Sequence, residues 1–348
     1  MNIGILTGGG DAPGLNAVIR AVVRRSLNYG FNVYGIRNGW KGLLDGTIEQ
    51  MDLNSISGIL HRGGTILGTS RTNPFKVENG EKLLKENIEK YKIDVICAVG
   101  GEDTLGVANR LSEMGYKVVG VPKTIDNDLN ATDFTFGFDT AVNIAMEAID
   151  RLHTTAESHN RVMVVEVMGR HAGWIALYAG LAGGADVILI PEKPFDLEEV
   201  AEVIRSRHKR GKNFSIVVVS EGAKIKTEES VDKDGSLIVS SLEKDAFGHV
   251  RLGGIGNVLA QEIEKRTGFE TRATILGHIQ RGGSPTAYDR ILGTRFGVTA
   301  VDLIKQGKFG RMVALKGNEI VDVSLKEAVG ELKLVDLKLY KVAEVFFG

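Results

Sequence analysis

The sequence predicts an α/β protein built as two three-layer α/β/α lobes with mostly parallel sheets and an active site in the cleft between them. Three observations predict it. The 348 residues exceed what one hydrophobic core fills, roughly 250–300, and suit two lobes. Short Val/Ile-rich runs of strand length alternate with amphipathic stretches of helical length. The apolar runs also end repeatedly in short glycine-rich or acidic segments, where open α/β sheets bind ligands.

Strands are expected at residues 3–6, 33–36, 95–99, 118–121, 162–167, 187–190 and 216–219. They read as continuous apolar runs rather than strict alternation, the mark of strands buried on both faces of a parallel sheet. Helices are expected at 15–27, 81–90, 105–114, 140–152, 197–207 and 258–265, where apolar residues recur at helical spacing. The charged, serine-rich stretch 223–254 reads as a solvated excursion, with a hairpin turning at Lys233-Asp234-Gly235.

Composition narrows the function. With 43% hydrophobic and 25% charged residues this is an ordinary soluble composition, and a net charge of −1 argues against a nucleic-acid or membrane surface. The single cysteine, Cys97, excludes an internal disulfide framework, fits a reducing compartment and falls inside an expected strand. The amino-terminal run lacks a basic segment and is too short for a signal peptide, and no stretch approaches the ~20 apolar residues of a membrane span. A cytoplasmic location is expected. The 44 glycines against 6 prolines point to many turns where backbone approaches a ligand.

The polar segments carry the chemistry. Gly8-Gly9-Gly10-Asp11-Ala12-Pro13-Gly14 joins the first strand to the first helix and suits an anion, through backbone N–H groups and the helix dipole. It is neither a dinucleotide fingerprint nor a Walker loop, because Pro13 replaces the third glycine and no Gly-Lys-Ser/Thr follows. Gly100-Gly101-Glu102-Asp103-Thr104 sets two carboxylates on a second such turn. Acids there would repel phosphate unless a Mg²⁺ bridges them, and they can also cap the helix that follows. In Lys123-Thr124-Ile125-Asp126-Asn127-Asp128, Asp126 can act as a base toward a sugar hydroxyl and Lys123 can meet the charge of a moving phosphoryl group. Arg161, Met168-Gly169-Arg170, Glu221, Arg272 and the run Gly277-His278-Ile279-Gln280-Arg281 follow. Several arginines on loops form a natural clamp for a phosphomonoester, so the acceptor is expected to be phosphorylated before the reaction.

Residues 9–17, 124–128, 165–170 and 276–285 together resemble the phosphofructokinase family, in order and with suitable spacing from residue 3 to about 297. The resemblance implies roles by position. Asp126 would accept the proton of the sugar 1-hydroxyl, and Arg170 would steady the transferring phosphoryl group. Thr124 and Asp128 would flank them, and Gly9, Gly10, Gly101 and Thr104 would bind the donor. Glu102 would serve Mg²⁺, where many members carry aspartate. Arg161, Met168, Gly169, Glu221, Arg272, His278 and Arg281 would hold fructose 6-phosphate. Arg161 and Arg272 would reach a neighbouring subunit, implying a homodimer or homotetramer with shared active sites. Residues 1–138 with 253–305 would form the donor and Mg²⁺ lobe, and 139–252 with 306–348 the fructose 6-phosphate lobe.

Two departures bear on the donor. ATP-using bacterial members carry glycine where this chain has Asp103 and Lys123, and the same paired substitution marks the pyrophosphate-dependent members. A carboxylate ~4 Å from a nucleotide's innermost phosphate repels it by about 4 kcal/mol at an effective dielectric of ~20. At roughly 1.4 kcal/mol per decade, that is near a thousandfold in affinity. The expected donor is therefore pyrophosphate. An ATP-dependent enzyme is the nearest rival, and a salt bridge between Asp103 and Lys123 would favour it. NAD or lipid kinases share the second glycine turn but lack the segment from His278 to Arg281. A non-catalytic phosphosugar sensor would be expected to lack Asp126 or Arg170. Arg20, Arg24, Arg62, Arg210 and Lys212 resemble effector positions of regulated bacterial members, but Asp186 and His153 stand where those carry glutamate and arginine, which leaves regulation open.

Overall fold

The computed structural model describes residues 1–226, 239–244, 247 and 250–348, and the hairpin expected at residues 233–235 lies outside them. The chain divides into two compact units. The first contains Met1–Thr140, Phe247 and Arg281–Leu332; the second contains Ala141–Lys244, Val250–Gln280 and Lys333–Gly348.

Counted over the described residues, the first unit is built on a seven-stranded sheet. Its strands are β1 (Asn2–Thr7), β2 (Asn32–Ile36), β3 (Ile48–Met51), β4 (Val95–Gly100), β5 (Val118–Pro122), β12 (Arg311–Lys316) and β13 (Glu319–Ser324). They run in the order β13-β12-β5-β4-β1-β2-β3. The inner pairings are parallel, and only the edge strands β3 and β13 pair antiparallel. Alternate side chains of each inner strand enter two separate cores. Val95, Cys97 and Val99 of β4 join one core with helices α1 (Leu15–Asn28) and α9 (Ala287–Lys305). Ile96 and Ala98 join the other, with α2 (Trp40–Asp45), α3 (Gly80–Lys90), α4 (Glu102–Glu113) and α10 (Leu325–Ala328). Burial on both faces is why these strands carry unbroken apolar runs. It also pushes the Cys97 thiol up to about 12, so the residue is inert packing.

The second unit follows the same plan around a smaller sheet, ordered β11-β6-β8-β7 and parallel throughout. Its strands are β6 (Val162–Val167), β7 (Val187–Leu189), β8 (Ser215–Ser220) and β11 (Thr271–Ile275). Val162, Val164, Val217 and Val219 pack with α7 (Leu197–Lys209) and α8 (Ile255–Thr267) on one face. The apolar helix α6 (Trp174–Ala182) packs on β7 and β8, where a Cβ on Gly180 would lie 2.8 Å from Ile188. Helix α5 (Phe138–His159) begins in the first unit and continues into the second, and α11 (Leu337–Glu344) ends the chain. Within the stretch read as an excursion, β9 (Val239–Lys244) and β10 (Val250–Leu252) form an antiparallel pair.

Two expectations need correction. Residues 253–305 are expected with the first lobe and 306–348 with the second; 281–305 and 333–348 lie so, but 253–280 lie in the second unit and 306–332 in the first. Sheet pairing decides both: β11 pairs with β6, and β12 pairs with β5. Secondly, α4 starts at Glu102 rather than at residue 105, so Glu102 and Asp103 occupy the first turn of a helix. Carboxylates there are favoured by the helix dipole.

Candidate active site

In the first unit three turns meet at the carboxyl ends of β1, β4 and β5. The Gly8 amide donates to Val99 O at 2.9 Å and the Lys123 amide to Gly100 O at 2.9 Å, which ties the three strand ends together. A Cβ on Gly8 or Gly100 would lie 2.6 or 2.4 Å from the buried Thr104 side chain, so glycine is what lets the turns close on it. Gly9 has a φ of +78°, which favours glycine. Its amide donates to Ser70 O at 3.1 Å, and its carbonyl accepts from the Thr69 hydroxyl at 2.6 Å.

Lys123 is only 3% exposed, and among the described residues its amine donates to Gly10 O. Burial pulls it down to about 7; the Arg281 guanidinium adds to the fall, while Asp11, Asp126 and Asp128 oppose it. Arg281 Nη1 donates to Asp11 O at 3.3 Å, and a Cβ on Gly10 would lie 2.5 Å from that same nitrogen. The structure thus sets Arg281, expected among the sugar-phosphate residues, against the Gly8–Gly14 turn. The Asp126 amide donates to the Thr124 hydroxyl at 3.0 Å, shaping a tight turn after β5. Burial first, then the Asp126 carboxylate, holds the Asp128 carboxyl above the usual range, and Glu102 pushes the same way. Thr135 clamps this turn from behind, its hydroxyl donating to Thr124 O at 2.8 Å and its amide to Asn127 Oδ1 at 3.1 Å.

Glu102 and Asp103 face a pocket of about 240 Å³, lined also by Asn73, Phe75, Gly106, Val107, Arg110, Phe247 and Val329. The Arg110 guanidinium stacks 3.7 Å from the centre of the Phe75 ring. Among the described residues no group of three or more His, Cys, Asp or Glu side chains is arranged to hold a metal. The residues present still fit Mg²⁺, which typically takes one or two carboxylates together with substrate phosphates and water. Asp126 and Glu102 each act on Asp128 as like charges, a repulsion a divalent cation relieves.

The second unit gathers a separate group at the carboxyl ends of β6 and β8. The Glu221 amide donates to Val167 O at 2.8 Å, and the Ser220 hydroxyl to Gly169 O at 2.6 Å. A Cβ on Gly169, which has φ +137°, would lie 2.6 Å from Ser220 Oγ. The Met168 amide donates to the buried Gln280 Oε1 at 3.3 Å, which fixes the turn carrying His278 beside Met168, Gly169 and Arg170. Arg161 and Arg272 do not join this group. They lie at the opposite ends of their strands: at roughly 3.3 Å per residue, Arg272, paired with Met163, is about 16 Å from Met168 along the strand direction and Arg161 about 23 Å. There Arg161 Nη2 meets Glu270 Oε1 at 2.8 Å and Arg272 Nη2 meets the same oxygen at 2.5 Å. Asp186, one of the effector-like positions, pairs with Arg207 at 2.8 Å and accepts the Ile216 amide at 2.9 Å.

Several supporting residues were not expected from the sequence. Thr69, Ser70 and Thr135 act through backbone contacts that leave no pattern, and Gln280 lies in the segment 276–285 without a role implied there. Asn16 left a usable signal: a polar residue on the buried face of α1, bonded to Arg62 O and the Ile66 amide.

The phosphofructokinase family model matches residues 2–304. The chain belongs to this family. It is 60% identical to the pyrophosphate–fructose 6-phosphate 1-phosphotransferase of Amycolatopsis mediterranei, the match covering 100% of both chains. It is also 54% identical to ATP-dependent 6-phosphofructokinase 2 of Streptomyces coelicolor, again across 100% of both. Among solved structures, the pyrophosphate-dependent phosphofructokinase from Marinobacter aquaeolei matches with a TM-score of 0.79 at 27% identity, over 97% of this chain and 86% of that one. As a phosphofructokinase the chain has its glycine turns at the strand ends where such sheets bind ligands. No described helix is long and apolar enough to cross a membrane.

Proposed function

We propose that this phosphofructokinase reversibly transfers a phosphoryl group from inorganic pyrophosphate to the 1-hydroxyl of fructose 6-phosphate, giving fructose 1,6-bisphosphate and phosphate. The observation that carries the reading is Lys123, a buried amine that donates to Gly10 O within the glycine turns, where burial pulls it down to about 7 and an arriving anion would favour its charged form. Its companion Asp103 stands on the first turn of α4 and lines the pocket of about 240 Å³. Three relatives that bear the pyrophosphate name share 58–60% of the sequence, above the 52–54% of those named ATP-dependent, while a fourth, from Dictyoglomus thermophilum, shares 52%.

Asp126 takes the proton from the 1-hydroxyl as that oxygen bonds to phosphorus. The bridging P–O bond of pyrophosphate breaks, and phosphate leaves with the electron pair. Gly9, Gly10, Gly101 and Thr104 line the donor turns, Thr124 and Asp128 hold the acceptor end, and Lys123 and Arg170 carry developing charge. Mg²⁺, held by Glu102 and the donor's oxygens, would supply further neutralisation there. Met168, Gly169, Glu221, His278 and Arg281 hold the sugar phosphate. Arg161 and Arg272, on the far end of their sheet, serve a second copy of the chain, so the working form is a homo-oligomer. Both arginines converge on one Glu270 oxygen, a geometry that suits a phosphate dianion. A cytoplasmic location fits substrates of this kind.

Initial rates with pyrophosphate and ATP as competing donors test the proposal. Faster turnover with ATP at equal concentration would overturn it in favour of the ATP-dependent reading.

A further inference from the structure

Helix α5 begins with Phe138-Asp139-Thr140, immediately after the segment that clamps the Asp126 turn. Its first turn is latched to the start of α9 by four hydrogen bonds, two of them to Asp289 Oδ2, while the buried Asp289 Oδ1 has no hydrogen-bond partner among the described residues. The Asp289 carboxylate, fully buried, accepts from the Thr140 amide at 2.8 Å and the Thr140 hydroxyl at 2.5 Å. The Thr140 hydroxyl in turn accepts from the Thr286 amide at 3.0 Å, and the Thr286 hydroxyl donates to Asp139 Oδ2 at 2.6 Å. Thr286 also caps α9 through the Asp289 amide. Two helix starts are thereby satisfied by one buried carboxylate and two hydroxyls.

The residues just before the latch hold both reactive turns. A Cβ on Gly137, whose φ is +96°, would lie 2.7 Å from Ala12 of the donor turn and 3.5 Å from Ile125, the neighbour of Asp126. A Cβ on Gly14 would meet the Phe136 ring at 2.8 Å and the Asp289 carbonyl at 3.4 Å. Residues 135–137 are therefore wedged between the donor turn and the base-bearing turn, and Asp289 fixes the residue three positions along. We propose that Asp289 is a positioning residue for phosphoryl transfer: through Thr140 it sets the spacing of the Asp126 turn from the Gly8–Gly14 turn. It touches neither substrate. Its loss leaves ground-state contacts in place and disturbs the alignment needed in the transition state.

The inference rests on the proposed reaction, and the experiment separates the two. Wild-type turnover with pyrophosphate tests the reaction, whereas the ratio of variant to wild type, with whichever donor works, tests the latch. Asp289→Asn is expected to lower kcat by ~10–100-fold, as sub-ångström to ångström misplacement does, with KM for both substrates within about threefold. Thr140→Val removes the hydroxyl link alone and should lower kcat severalfold in the same pattern, and Thr140→Ser should restore it. If Asp289→Asn does not fold, the Thr140 pair carries the test. A folded Asp289→Asn or Thr140→Val enzyme with wild-type kcat and only a lower melting temperature would overturn the proposal, as would a loss confined to KM.

Discussion

Replacing Asp103 by glycine should open this enzyme to ATP, and the size of the effect follows from where the carboxylate sits. Asp103 is on the first turn of α4, half-buried, beside Glu102 and above a pocket of about 240 Å³. A nucleotide seated with its terminal phosphate in the glycine turns must send its remaining phosphates past this turn. At ~4 Å the repulsion of two unit charges is about 4 kcal/mol at an effective dielectric of ~20 but only about 1 kcal/mol in bulk water. Half-burial places the expected gain in ATP kcat/KM between about fivefold and a thousandfold. Asp103→Asn separates charge from bulk, and should recover most of the gain if repulsion is the cause. The assay is fructose 1,6-bisphosphate formation coupled through aldolase, with pyrophosphate and ATP run in parallel. Glycine also forfeits a favourable first-turn carboxylate worth about 0.3–1 kcal/mol, so stability is measured alongside. An unchanged ratio of ATP to pyrophosphate kcat/KM in both variants, with the fold intact, would refute the charge-exclusion argument.

Three further outcomes follow from the same turns. Lys123 has a folded-state value of about 7 against 10.5 for the free side chain, so the unfolded chain binds more protons between those values and stability rises with pH across that window. Lys123→Met should flatten that rise in urea midpoints taken at several pH values, and lower pyrophosphate kcat/KM by ~100-fold. In Gly10→Ala the new Cβ meets Arg281 Nη1, a movable group, so the expected result is a folded enzyme with KM raised ~10-fold for the substrate Arg281 contacts, read from initial rates. Chelation of Mg²⁺ should abolish turnover, and Glu102→Gln should raise the Mg²⁺ concentration for half-maximal rate by ~10-fold, with full rate recovered at saturating metal.

What the sequence discloses about this molecule depends on whether a residue acts through its own chemistry or through what it meets. Strands β1, β2, β4, β5, β6 and β8 are legible because burial on both faces forces runs such as Val-Ile-Cys-Ala-Val at 95–99. Strands β3 and β13 are antiparallel edge strands with half-exposed residues, so no such constraint marks them. Helix α6 is apolar around much of its circumference and offers no helical period to detect. Helix α9 buries residues 289, 292, 293, 296, 297, 300, 301 and 304 at helical spacing, but carries an aspartate and two glycines among them, which blunts the apolar pattern. The unit boundary was misplaced for a related reason: nothing in 311–316 announces that it pairs with β5 rather than with the second sheet. The reactive turns are legible because glycine, lysine and paired acids are costly there without a ligand. Asp289 is not, since its role depends on Thr140, 149 positions away.

The Lys123 amine shows why donor choice and local architecture are one problem. A lysine that is 3% exposed loses much of its hydration, and its value near 7 shows that Asp11, Asp126 and Asp128 together do not offset that loss. A partner that brings dense negative charge to within contact distance favours the charged form further. Pyrophosphate does so in a compact volume and without needing any pocket beyond the turns. A nucleotide brings comparable charge, but spreads it along a chain that must pass the two carboxylates of α4. The same arrangement therefore favours one donor twice, once by attraction at Lys123 and once by repulsion at Asp103, and removing either term alone should leave a measurable preference. Only the double variant Asp103→Gly with Lys123→Gly is expected to lose it, and a preference that survives both substitutions would place donor selection elsewhere in the first unit.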